Sequence, residues 1–346
     1  MENIIFTRNI NCILGQVLEN FASENIFILA DTGSNKYCVP LLNLEKINVK
    51  NRIVIGEGEV NKSPESVLYI WKTLSDRGAK RNAVLVNVGG GLVTDIGGFA
   101  AACFKRGIKC INVPTTLLSQ VDASVGGKTG MNFNGLKNEI GTFSLPEKVI
   151  IDISFLKTLP QRQILSGFAE MLKHALLAGG EHFEAVFSVS PEQIDWENFA
   201  GLLEESVKVK YAVVKADPQE AGIRKALNFG HTVGHAIESA AIEKGVELYH
   251  GDAVAYGMLA ELYLSEVKMG FESGLYERIR LHIRRIYPSY IPQVPEECLY
   301  RLMLHDKKNE QEGVNFTLLR RPGEFSIDNY CSQEEILGAL RTLSNP

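Results

Sequence analysis

Short apolar runs alternate with longer segments of helical period through the first half of the chain. That alternation predicts parallel strands joined by crossover helices. Residues 25–30 read Asn-Ile-Phe-Ile-Leu-Ala and form the first strand, which closes at Asp31 and a Gly-Ser-Asn turn. A second strand at 52–55 leads into a polar loop, after which Ser63 as N-cap and Pro64 at the first helical position start a helix. Val67, Ile70, Trp71 and Leu74 make up its buried face. The strand at 83–88 runs directly into a glycine turn and a helix of small residues, and further strands are expected at 109–113 and 149–153. Beyond Leu159 and Pro160 the pattern turns almost wholly helical, with 3.6-period runs at 161–178, 197–214, 228–243, 251–268 and 274–286. Residues 314–327 predict a small hairpin, and a last helix starts at Ser332 with Glu334 and Glu335 in its first turn. The change of period divides the chain into an α/β unit over 1–159 and a mostly α-helical unit over 160–346. There is no internal repeat, low-complexity tract or heptad pattern.

Charge narrows the choice of partner. The 346 residues carry a formal net charge of -5, with lysines and arginines dispersed rather than blocked. This argues against a nucleic-acid or membrane-surface partner and leaves a small molecule as the expectation. No stretch approaches the roughly 20 apolar residues that span a bilayer, and the N-terminus lacks a basic segment followed by a long apolar run. A cytoplasmic location is therefore expected. The six cysteines are scattered without a CxxC pair, which suggests reduced packing residues rather than a disulfide framework or a cysteine metal site.

The densest chemistry lies in Asn-Phe-Gly-His-Thr-Val-Gly-His, residues 228–235. His231 and His235 stand one helical turn apart, and spacing alone pairs them on one face. The glutamate of an HExxH motif is missing, which argues against metal-dependent peptide hydrolysis. An isolated HxxxH is most simply an ordinary pair of helix histidines. Glu170, with Lys173 and His174 on its own helix face, and His250 change that balance: one carboxylate and two histidines make a catalytic zinc site with an open position. The run from Gly89 through Gly91 departs from a strict dinucleotide fingerprint, because Thr94 stands where the third glycine belongs. Its strand-turn-helix context, with Asp95 in the first turn, still offers backbone amides to a pyrophosphate. Asp31 fits either a ribose hydroxyl or a turn aspartate. The Gly-Gly-Lys-Thr-Gly stretch at 126–130 is no NTPase loop, since the first glycine of that motif falls on Asp122. Lys128 reads equally as a phosphate contact or a solvated loop lysine. Taken with Arg106, Lys137, Lys210, Arg224, Lys225, Lys307 and Lys308, it would suit a doubly anionic substrate, although any one of these cations is ordinarily surface charge. A metal, a dinucleotide and an anion pocket together suggest redox chemistry on a phosphorylated polyol.

The chain resembles the 3-dehydroquinate synthase family of sugar-phosphate cyclases. The resemblance is carried by VNVGGGLVTDIGGFAAACFKRG, VPTTLLSQVDASVGGKTGMN, GLKNEIGTF, LSGFAEMLKHALL, EAGIRKALNFGHTVGHAIE, HGDAVAYGM and the late DKKN, in order over residues about 55 to 310. It implies a Rossmann-like N-terminal domain for NAD and a helical C-terminal domain for metal and substrate. It implies that Glu170, His231 and His250 hold zinc or cobalt, which replaces the His231–His235 pairing. NAD contacts are implied for Asp31, for the loop Glu57, Gly58, Glu59, Val60, Asn61 and Lys62, and for Gly91, Leu92, Val93, Thr94 and Asp95. The same holds for Thr115, Thr116, Lys128, Lys137, Phe155, Leu156, Lys157 and Thr158. Lys128, Asn138, His235 and one lysine of DKKN, taken as Lys307, would surround the substrate phosphate, with Arg106 reaching across from the partner of a homodimer. Lys210, Arg224 and Asn228 would hold a carboxylate, and Asp122 and Lys173 the hydroxyls. The chain departs from the family at Thr94, Gly33 and Asp252.

The implied reaction converts 3-deoxy-arabino-heptulosonate 7-phosphate to 3-dehydroquinate and phosphate, with NAD regenerated in each turnover. Rival readings are another cyclase of the superfamily, a metal-dependent polyol dehydrogenase, and an inactive NAD-binding regulator. A continuous helix through 224–231 would put Arg224 and His231 two turns and about 10 Å apart on one face, the reach of a seven-carbon substrate.

Overall fold

The computed structural model describes residues 1–44, 47–287, 294–304 and 313–344. The chain divides into two compact units, Met1–Leu159 and Pro160–Pro346. Among the described residues no helix is long and apolar enough to cross a membrane.

The first unit is α/β and Rossmann-like. Its elements are β1 (Ile4–Thr7), α1 (Ile10–Leu18), β2 (Ile26–Asp31), α2 (Thr32–Tyr37), β3 (Arg52–Ile55) and α3 (Pro64–Asp76). They continue as β4 (Val84–Gly89), α4 (Gly91–Cys103), β5 (Lys109–Pro114), β6 (Lys128–Phe133), β7 (Leu136–Phe143) and β8 (Lys148–Asp152). Six strands form a sheet in the order β1-β8-β5-β4-β2-β3, and every pairing in it is parallel. Because side chains alternate across a strand, Phe27 and Leu29 enter the core against Val67, Ile70 and Leu74 of α3. Ile26, Ile28 and Ala30 enter the opposite one, with Ile10 and Leu14 of α1. From β2 the chain steps to β3 at one side, and from β4 to β5 at the other. The switch therefore lies between β2 and β4, whose carboxyl ends carry Asp31 and the Gly89–Gly91 turn, the place where open parallel sheets bind ligands.

Three features differ from the sequence expectation. Asp31 starts no simple turn: its Oδ1 accepts from Ser34 N at 2.6 Å and closes a capping box on the short α2. The first strand and α1 also escape the pattern, since β1 is a four-residue edge strand too short to show a period. Lys128 opens β6 of a two-stranded antiparallel hairpin with β7 instead of lying in a loop. Glycines at 130 and 141 let these two backbones approach closely and hide the alternation by which strands are recognised.

The second unit contains α5 (Gln161–Ala178), α6 (Gly180–Phe187), α7 (Trp196–Ala216), α8 (His231–Glu243), α9 (His250–Met269), α10 (Ser273–Ile286) and α11 (Glu296–Leu304). An antiparallel hairpin of β9 (Val314–Arg321) and β10 (Glu324–Cys331) and a final helix, α12 (Gln333–Ser344), complete it. Ser332 and Glu335 exchange hydrogen bonds at the start of α12, a capping box. The helix expected over 228–243 begins only at His231. A 3₁₀ turn at Ile223–Asn228 precedes it, and Phe229 (ψ 126°) and left-handed Gly230 (φ 80°) separate the two. Arg224 therefore does not share a continuous helix face with His231, and the expected two-turn spacing between them does not hold.

Candidate active site

Helix α5 is buried on almost every side from Ser166 to Leu177, so its polar residues lie inside the helical unit. Glu170 and Lys173 are both fully enclosed, and the Lys173 ammonium pairs with Glu170 Oε2. Such a pair neutralises charge that neither member could carry there alone. Helix α9 approaches through Gly251, where a Cβ would come within 2.2 Å of Ser166 O. That contact brings His250, the first residue of α9, over α5. Helices α8 and α9 also meet backbone to backbone, since a Cβ on Gly257 would lie 1.9 Å from Gly230 O.

Two imidazoles converge on one carboxylate oxygen. His231 Nε2 lies 3.4 Å and His250 Nε2 3.6 Å from Glu170 Oε1. Two donors each about 2.0–2.1 Å from one tetrahedral zinc lie about 3.3 Å apart. The separations are thus those of atoms sharing an ion. The other ring nitrogens are anchored: His231 Nδ1 lies 3.2 Å from Phe229 O and His250 Nδ1 3.5 Å from Glu238 Oε2. With Nδ1 donating, each Nε2 lone pair turns toward Glu170. These residues fit a divalent ion with a position left for another ligand. Burial first, then the Lys173 ammonium, pushes His231 down to about 3 against the pull of Glu170, which keeps its imidazole neutral. Burial pushes His250 the same way, but hydrogen bonds and charge from Glu170 and Glu238 prevail and raise it to about 10. Solvent tempers that rise, because the His250 side chain is 28% exposed. The Glu170 carboxyl is held well below the usual range by Lys173 and the histidines despite its burial.

His235 stands beside this trio, its ring 5.4 Å from that of His231 and 6.1 Å from that of His250. His235, Glu238 and His250 form a second group with metal-ligand spacing. It shares His250 through the nitrogen that faces Glu238, whereas the Glu170 group has a fully buried carboxylate and both Nε2 atoms. The Glu170 group is the better centre. The i, i+4 pairing of His231 with His235 keeps the rings adjacent, yet His250 is what shares Glu170.

The other candidates of this unit flank a turn. Asp217 at the end of α7 accepts from the backbone of Ala221 at 3.0 Å, Gly222 at 2.7 Å and Arg224 at 3.1 Å. Arg224 is buried and donates from Nη1 to Pro218 O at 2.6 Å. Asn228 donates to Glu220 Oε1 at 2.8 Å, and Lys210 is buried on α7. Lys225 pairs with Asp328 at 2.9 Å. Lys307 and Lys308 lie outside the described residues. Sequence reasoning passed over Asp217, Glu220 and Glu238. Glu238 lies three residues after His235 on the same helix, a spacing that could have pointed to it.

In the first unit the dinucleotide candidates follow the carboxyl ends of β2, β3, β4, β5 and β8. Glu57, Gly58, Glu59 and Val60 are exposed after β3, and Asn61 is half-buried. Buried Lys62 donates to Asp95 Oδ2 at 2.5 Å and Asn138 Oδ1 at 2.6 Å, joining the β3 loop, α4 and the hairpin. Gly91 opens α4, with Leu92 packed on the core and Val93 inside it. Thr94 turns its hydroxyl back to Gly91 O at 3.1 Å, so the missing glycine leaves the helix start unobstructed. At Gly33 a Cβ would stand 2.8 Å from Glu57 Oε2, the end of an exposed side chain that can move aside. Thr115 is buried and Thr116 bonds Ser119. Phe155 and Leu156 are enclosed, which leaves backbone, Lys157 and Thr158 as that segment's exposed groups. Lys128, Lys137, Asn138 and Arg106 are exposed, the last two at positive φ, and Asp122 is half-buried in a π-helical turn.

Known proteins share this plan. Family models described as 3-dehydroquinate synthase N-terminal and C-terminal match residues 52–166 and 167–309. A 3-dehydroquinate synthase of Parabacteroides distasonis is 44% identical over 341 residues, 98% of this chain and 97% of that protein. One of Ruminiclostridium cellulolyticum is 34% identical, covering 96% and 94%. Among solved structures, 2-epi-5-epi-valiolone synthase of Streptomyces hygroscopicus, with NAD+ and Zn2+ bound, superposes with a TM-score of 0.87 at 25% identity over 99% of this chain and 96% of that one. A 2-deoxy-scyllo-inosose synthase complexed with carbaglucose-6-phosphate, NAD+ and Co2+ gives 0.84 at 22% identity over 98% and 96%, a likeness of fold. With both family models matched in order across most of the chain and near-full-length identity of 44%, this chain belongs to the 3-dehydroquinate synthase family.

Proposed function

We propose that the protein is a 3-dehydroquinate synthase that takes 3-deoxy-arabino-heptulosonate 7-phosphate to 3-dehydroquinate and phosphate, a phosphate-eliminating lyase using catalytic NAD and a divalent ion. The observation that carries the metal half is the convergence of His231 and His250 on one oxygen of the fully buried Glu170, whose other oxygen pairs with Lys173. When bound, the ion would acidify a substrate hydroxyl and the dinucleotide would take up and return one hydride. Glu170, His231 and His250 would hold the ion, and Lys173 keeps the Glu170 carboxylate ionised. Lys210, Arg224 and Asn228 would orient the carboxylate, the guanidinium fork suiting its plane. His235, Lys128, Asn138 and Lys307 are the residues proposed for the phosphate. Asp122 and Lys173 would hold hydroxyls. The NAD set is proposed at the carboxyl ends of the parallel strands, where Asp31 and the amides of α4 suit ribose and pyrophosphate. Arg106 would serve the second copy of a cytoplasmic homodimer. We take 1–159 as the NAD domain and 160–346 as the metal and substrate domain.

Phosphate release from the heptulosonate phosphate with trace NAD tests the assignment. Many turnovers per NAD, with no NADH accumulating, are expected. Steady NADH production matching product one for one would move the protein to the dehydrogenases.

A further inference from the structure

Glu261 is a fully buried carboxylate that neither the metal trio nor the substrate set uses. It lies on α9, three turns after His250, and turns toward the start of α8. Its Oε2 accepts from Gly230 N at 2.6 Å, and its Oε1 lies 3.5 Å from Val233 N, a longer contact. Those amides bracket His231. The N-cap position of α8 is Gly230, which has no side chain to offer, so a neighbouring helix supplies the capping group. Gly230 itself is held in the left-handed region, with Met258 Cγ 2.6 Å from where its Cβ would be.

The electrostatics point the same way. His231 and His250 are the first residues of their helices, and a helix N-terminus carries about half a positive charge. A cation at these imidazoles therefore sits against two unfavourable helix ends. Glu238 offsets this beside His250. At the start of α8 Glu170 faces His231 from the side of the ion, and Glu261 adds a carboxylate on the backbone amides.

We propose that Glu261 is a positioning residue for the metal centre: its carboxylate fixes the first turn of the helix bearing His231 and offsets the positive helix end beside the ion. The proposal rests on Glu170, His231 and His250 holding the ion. Glu261→Gln keeps the shape and one acceptor oxygen but removes the charge. Glu261→Asp keeps the charge and withdraws it by one methylene. Zinc affinity should be measured by competition with a chromophoric chelator, and the cobalt-substituted protein by its visible ligand-field bands. Glu261→Gln should bind zinc about tenfold or more weakly with altered cobalt bands, and Glu261→Asp should fall between it and the wild type. NAD affinity should not change. Leu264→Ala, buried on the same helix, controls for general loosening and should lose thermal stability without losing zinc affinity. If Glu261→Gln fails to fold, Glu261→Asp gives the same reading. Wild-type zinc affinity and cobalt bands in the folded variants would overturn the proposal while leaving the trio standing, as would an equal affinity loss in Leu264→Ala. A wild type that binds no zinc would remove the trio and the proposal together.

Discussion

Arg224→Ala separates a dehydroquinate synthase from cyclases whose substrates lack a carboxylate. The guanidinium is buried, and one of its nitrogens is committed to Pro218 O at 2.6 Å, which fixes the plane of the fork. A hydrogen bond involving charged partners contributes about 1.5–3 kcal/mol. Loss of a paired contact to a substrate carboxylate therefore costs about 3–6 kcal/mol, or roughly two to four decades at 1.4 kcal/mol each. Lys210, also buried on α7, retains part of the attraction, so kcat/KM on the heptulosonate phosphate should fall about a hundredfold to a thousandfold. Arg224→Lys should recover only part of this, because an ammonium cannot make the two parallel bonds. Zinc content should stay at the wild-type level, since Phe229 and Gly230 break the chain between Arg224 and the helix of His231. The assay is phosphate release from the heptulosonate phosphate and from sedoheptulose 7-phosphate, which lacks the carboxylate. The variant's loss should appear only on the first. Unchanged turnover of that substrate by Arg224→Ala, or a wild-type preference for sedoheptulose 7-phosphate, would refute the reasoning and leave only the wider superfamily.

Two further outcomes are expected. Chelation, or His250→Ala, should abolish phosphate release and be reflected in metal content by mass spectrometry; full activity in a metal-free sample would count against the trio. Asp217→Asn should destabilise the Asp217–Arg224 turn in a pH-dependent way. Burial works against the Asp217 charge, but the amides of Gly222, Arg224 and Ala221 prevail and hold the carboxyl below its usual range. A depressed carboxyl stabilises the fold above its unfolded pKa of about 3.9 and loses that contribution as pH falls through the folded value. The gap in Tm between wild type and variant should be constant above about pH 5 and narrow below it. A gap of the same size at pH 3 and pH 7 would show that the carboxylate charge has no part in it.

How much was legible in the sequence depended on whether a feature was periodic. The buried strands of the α/β unit are continuous apolar runs between glycine and proline signals, and β3 was read to the residue. The β6–β7 hairpin was not, because Gly130 and Gly141 sit where an alternating pattern would need side chains. The metal residues were visible as chemistry but not as geometry. His231 and His235 advertise themselves by spacing, while Glu170 and His250 lie on helices far away in sequence; their chemistry suggested a zinc site, and the family resemblance set His235 aside from its ligands. Arg224 was noticed for its charge, yet its supposed helical register with His231 failed at Gly230, which reads in sequence as one more small residue.

That same glycine shows why the supporting residues stayed hidden. Gly230, Gly251 and Gly257 mark where α5, α8 and α9 come within backbone contact, and such contact places two helix N-termini over one buried carboxylate. Close backbone approach and cation binding then pull in opposite directions, because the helix ends that glycine brings together are positive. A single carboxylate ligand already paired with Lys173 leaves that conflict unresolved. Two further buried carboxylates come from the helices that make the contact. Glu238 on α8 faces His250 of α9, and Glu261 on α9 faces the start of α8. Each helix thus carries the counter-charge for the ligand of the other, an exchange that no single segment of sequence displays.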